Sequence, residues 1–82
     1  MMMILTQDKD KIVSTENLNY IQVEETELNY RNYKYDIKAY FGKDNVLLGR
    51  YETSDRGNAI LQDMYKQIMM QNFSFTYQMP KE

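Results

Sequence analysis

Lys34-Tyr35-Asp36-Ile37-Lys38-Ala39-Tyr40-Phe41 is the most regular stretch of the chain: Tyr35, Ile37, Ala39 and Phe41 share one parity, and Lys34, Asp36, Lys38 and Tyr40 the other. Side chains of an extended strand point alternately to the two faces of a sheet. This period of two therefore predicts an antiparallel strand with one buried and one wetted face. Gly42, Lys43, Asp44 and Asn45 supply turn chemistry directly after it, and Val46 to Tyr51 predicts the strand that returns beside it. Upstream, Ile21 and Val23 alternate with polar neighbours from Tyr20 to Glu24, which predicts another strand. The polar segment Glu25 to Asn32 predicts a loop, strand at most at its ends. Met1 to Leu5 and Lys11 to Val13 predict an opening hairpin around Thr6 to Asp10.

Beyond Tyr51 the period changes. Thr53, Ser54 and Asp55 suit a helix N-cap, and Ile60, Leu61, Met64 and Ile68 fall on one helical stripe. A helix is predicted from near Ser54 to near Asn72, with Asn72 as its cap. Gly57 in its first turn either lets the helix approach the sheet closely or is simply tolerated there. Phe73, Phe75, Tyr77 and Met79 then alternate with polar residues, and Pro80 ends the pattern, so a short last strand is expected. The implied product is one α+β domain over residues 1–82: an antiparallel sheet of five to six short strands with one C-terminal helix packed on one face.

Which chemistries this domain can host follows from what it lacks. Without histidine or cysteine, Ser/His and Cys/His nucleophilic pairs, thiolate metal sites and disulfides are excluded. Asp8-Lys9-Asp10 has the spacing of the first calcium-loop ligands, but neither the glycine at the sixth position nor the glutamate at the twelfth follows. The Asn72-Phe73-Ser74 glycosylation pattern carries no weight in a cytosolic chain. No catalytic residue, metal or cofactor is implied. No apolar run approaches the length of a membrane span, and the cytoplasm is the expected compartment. A formal net charge of −2 is too balanced to mark a nucleic-acid footprint.

The densest local signal is the tyrosine run. Tyr30, Arg31, Tyr33, Lys34, Lys38 and Tyr40 combine aromatic rings with cations on and beside the regular strand. Such a mixture suits a protein-interface anchor or a base-stacking platform, although tyrosine also favours strands for packing reasons alone. Lys34, Lys38, Tyr40 and Tyr33 are expected to point away from the helix, and Tyr35 into the core. Glu24, Glu25 and Glu27 form an acidic strand end whose ordinary role is solvation. Tyr65, Met69 and Met70 lie off the helical core stripe and imply a self-association surface.

Leu48, Gly49, Arg50, Tyr51, Glu52 and Thr53, running into a helix with Ala59, Ile60 and Leu61 after an opening Ile4, Leu5, Thr6, Gln7, Asp8, resemble small uncharacterised accessory proteins of phages and mobile elements in Gram-positive bacteria. The resemblance implies a factor that inhibits a host protein, such as a defence or CRISPR effector, by stoichiometric binding. It brings no catalytic motif. Together these observations predict a non-catalytic binding protein with a host protein as partner, and with homodimer formation also expected. The alternative is a small single-stranded nucleic-acid binder that uses the tyrosine and basic strand. No membrane partner is expected.

Overall fold

The regular stretch is the middle strand of a sheet, and the rest of the molecule is arranged around it. The computed structural model describes residues 3–70 and 76–82. In chain order the elements are β1 (Met3–Leu5), β2 (Ile12–Ser14), β3 (Tyr20–Asn29), β4 (Asn32–Phe41), β5 (Asp44–Tyr51), α1 (Ser54–Met69) and β6 (Thr76–Gln78). The α+β class, the succession of five strands, one helix and a last strand, and the packing of the helix against the sheet all agree with the periodicities.

The strands divide into two three-stranded sheets, β3-β4-β5 and β2-β1-β6. Within the second, β1 pairs antiparallel with β2 and parallel with β6, Ile4 lying beside both Val13 and Tyr77. Strands of three residues carry too few side chains for alternation to reveal this partition. One core nevertheless serves both sheets: Ile4, Val13, Tyr77 and Met79 pack with Ile37, Ala39, Leu48, Tyr51, Ile60 and Met64.

Gln7 joins the two sheets. Its side-chain amide donates to the Arg50 carbonyl at 3.0 Å and accepts from the Arg50 N–H at 2.8 Å, imitating a paired strand residue at the outer edge of β5. The same amide donates to the Lys81 carbonyl, and the Gln7 backbone N–H donates to Leu48. Near the chain's end the Tyr51 hydroxyl donates to the Pro80 carbonyl, and the Tyr77 hydroxyl donates to Asp63 on α1. Burial pushes the Tyr51 phenol up to about 12.

Several boundaries differ from expectation. The segment Glu25 to Asn32 is strand except for the turn residues Tyr30 and Arg31: Glu25 pairs with Tyr35, Thr26 with Lys34 and Glu27 with Tyr33. Because β5 stops opposite Tyr35, this outer part of the β3–β4 hairpin is a two-stranded ribbon. It therefore lacks the buried face that would have left an apolar alternation in the sequence. The ribbon also explains the elongated shape, 42 × 26 × 21 Å.

Thr53 caps α1, accepting a hydrogen bond from the Arg56 N–H, and the helix ends at Met69 with Met70 as cap. The expected cap Asn72 and the strand residues Phe73 and Phe75 lie outside the described residues, as do Met1 and Met2. Ile60 and Met64 are buried as the stripe requires, but Ile68 is half exposed because the last turns of the helix run along the open edge of the sheet. At Gly57 the close approach is realised: a Cβ there would lie 3.0 Å from Val23 Cγ1.

Candidate protein interface

Pairing register sorts the tyrosine run into two groups. Lys34, Asp36, Lys38 and Tyr40 share the sheet face opposite α1 with Tyr20, Gln22, Glu24 and Thr26 of β3 and Arg50 of β5. Lys34, Lys38 and Tyr40 thus point away from the helix, as the period of two requires. Tyr33 does not. It belongs to β4 and shares the parity of Tyr35 and Ile37, so it lies on the helix side of the ribbon. Because Tyr33 stands in the strand and not in a loop, alternation decides its direction.

The face opposite the helix is a connected polar network. Tyr40 stacks on Tyr20 with ring centroids 4.7 Å apart and an interplanar angle of 17°. The Tyr40 hydroxyl donates to Glu24, which also accepts from Gln22 at 2.9 Å and faces Lys38 at 3.7 Å. The Tyr40 hydrogen bond holds the Glu24 carboxyl below its ordinary value, and the same bond raises the phenol. Beside it, Arg50 grips Asp36 with two donors, Nε at 2.7 Å and Nη2 at 3.1 Å, and Thr26 adds a third at 3.1 Å. Asp36 is only 2% exposed. The Arg50 hydrogen bonds hold its carboxyl below the usual range against the opposing effect of desolvation. Lys34 pairs with Glu52 at the end of β5. Each cation on this face therefore meets a carboxylate.

Tyr30 and Arg31 form the turn at the ribbon tip. Arg31 adopts a left-handed φ of 58°, and its guanidinium lies 5.0 Å from the centroid of the Tyr30 ring. Tyr30 is 81% exposed, and Leu28 and Tyr33 are also exposed beside it. Leu28 falls at a register irregularity between Glu27 and Asn29, which makes it the extra residue of a bulge. Sequence reasoning passed over Leu28 because it lay in an expected loop. The pairing of Asp36 with Arg50 was also missed, since strands joined by a turn show their register only through contacts.

The helix carries a second exposed apolar group. Tyr65, Met69 and Met70 are exposed as their off-stripe positions imply, and Ile68 joins them. Between these turns and β3 lies an apolar groove of about 420 Å³, lined by Leu18, Ile21, Leu61, Gln62, Met64, Tyr65 and Ile68. Among the described residues no three carboxylates converge to hold a metal ion, and no helix is long and apolar enough to cross a membrane.

No protein-family model, curated protein or solved structure matches the chain.

Proposed function

We propose that the chain is a non-catalytic binding protein that modulates or inhibits a protein of its host cell by stoichiometric binding, and that the tip of the β3–β4 ribbon is its anchor. The observation carrying this reading is the exposed cluster of Leu28, Tyr30, Arg31 and Tyr33 on a hairpin that projects beyond both β5 and α1. Tyrosine and arginine dominate interface hot spots because they bury large, partly rigid surfaces while keeping polar handles. A projecting ribbon can insert such groups into a partner's cleft. The resemblance to accessory proteins of phages and mobile elements points to the same mode of action.

The nucleic-acid alternative needs free cations beside free rings. Lys34, Lys38 and Arg50 each face a carboxylate, and Tyr40 is stacked on Tyr20 and bonded to Glu24, which leaves Arg31 at the tip as a single cation beside the exposed Tyr30 and Tyr33 rings. These contacts favour a protein partner.

Affinity capture from extract of the encoding cells, run in parallel with wild type and Tyr30→Ala/Tyr33→Ala, tests the reading. A protein retained at equal stoichiometry by wild type and lost by the variant is the expected result. Equal retention by both would remove the tip from the account.

A further inference from the structure

We propose that the chain pairs with a second copy of itself through the first half of β3, the two strands running antiparallel about a two-fold axis near Gln22. This surface is separate from the ribbon tip and independent of the function proposed for it.

Among the described residues β3 is an edge of its sheet, with β4 on one side only. Edge strands of monomers are ordinarily protected by charge, proline or a bulge. Protection on β3 is confined to its second half, where Glu24, Glu25, Glu27 and the irregularity before Asn29 lie. Tyr20 to Val23 carries none, and that half borders the apolar groove.

The distribution of charge selects the occupant. A two-fold centred on the acidic half would set carboxylate against carboxylate. Centred on Gln22, it sets Ile21 against Val23 of the second copy on the groove side, and moves the glutamates away from the axis. The helix then supplies their counter-charge. α1 begins over Val23, where Gly57 touches it, and its last turns lie over Leu18 and Ile21. The antiparallel register carries Glu25 and Glu27 of one copy past Leu18 of the other, toward the helix end that bears Lys66. Glu25 and Glu27 are exposed, and no ion pair reaches them among the described residues. Tyr65 and Ile68 of both copies meet near the axis, so the patch is complementary to itself, as a closed isologous dimer requires.

Sedimentation across a concentration series tests this with three chains. Wild type is expected to dimerise with a dissociation constant of about 10 µM or tighter. Lys66→Glu should weaken the dimer at least about tenfold, and adding Glu25→Lys and Glu27→Lys to that variant should restore it. Ile68→Asp, at a half-exposed position, should be monomeric with an unchanged circular dichroism spectrum. Wild type that stays monomeric to about 200 µM overturns the proposal. So does a dimer indifferent to Lys66→Glu, an absence of rescue by the reversed charges, or growth into open-ended assemblies.

Discussion

Arg31 holds a left-handed backbone at the ribbon tip, a conformation costing a non-glycine residue about 1–2 kcal/mol. Its guanidinium rests on Tyr30, so the strain is retained where an interface anchor would benefit from being held ready. Arg31→Gly removes the strain but loosens the unfolded chain. The two effects offset, and stability should stay within about 0.5 kcal/mol of wild type. Partner binding should nevertheless weaken by about 1 kcal/mol or more. Thermal melting and a binding isotherm on the same sample check both halves. Asp36 behaves oppositely, because its role is internal. Its folded carboxyl titrates below the unfolded value near 3.8, so the stability it supplies is present above that value and is lost as pH falls toward its folded value. Acid unfolding of wild type should therefore steepen below about pH 4, and Asp36→Asn should flatten that limb. Arg50→Ala leaves the carboxylate buried without its main partner and should cost about 2–3 kcal/mol in denaturant melts at neutral pH.

Among the elements, β4 and α1 were legible from the sequence because each has one buried and one wet side. Ile37 and Ala39, and Ile60 with Met64, are fully buried at their expected parities. The outer ribbon was not legible. Glu25, Thr26 and Glu27 pair with Tyr35, Lys34 and Tyr33 without any core to mark their parity. The side on which Tyr33 lies is therefore hidden in the sequence, while Tyr30 and Arg31 stand out by residue type alone. Leu48 and Gly49 show a finer level of detail hidden from periodicity. The register slips between Ile37 and Lys38 so that Leu48 is extra in β5 and turns into the core, while Gly49 sits against the Tyr51 ring. A Cβ at Gly49 would come within 2.7 Å of the Tyr51 hydroxyl oxygen, which is itself tied to Pro80. Gly49→Ala should thus destabilise by about 1–3 kcal/mol, measured by chemical denaturation. Relief by Tyr51→Phe would be small, since the ring itself crowds the position.

For the whole molecule, the core locks both sheets and the helix into one body, while the ribbon tip and the helix groove present apolar surface uncovered by any of the described residues. They lie on different elements, so partner binding and self-pairing should separate by mutation: Ile68→Asp should leave the tip's affinity intact, and Tyr30→Ala should leave sedimentation unchanged. The central claim is that the exposed tip binds a protein without chemistry and without phosphate contacts. The most direct measurement is the affinity of wild type and Tyr30→Ala/Tyr33→Ala for the captured protein, each titrated from low to high salt. The account expects a loss of at least about 2 kcal/mol in the variant at unchanged melting temperature, and a wild-type affinity that changes little with salt. Equal affinities for both chains, or a wild-type affinity that collapses with salt and is competed by a single-stranded oligonucleotide, would contradict it.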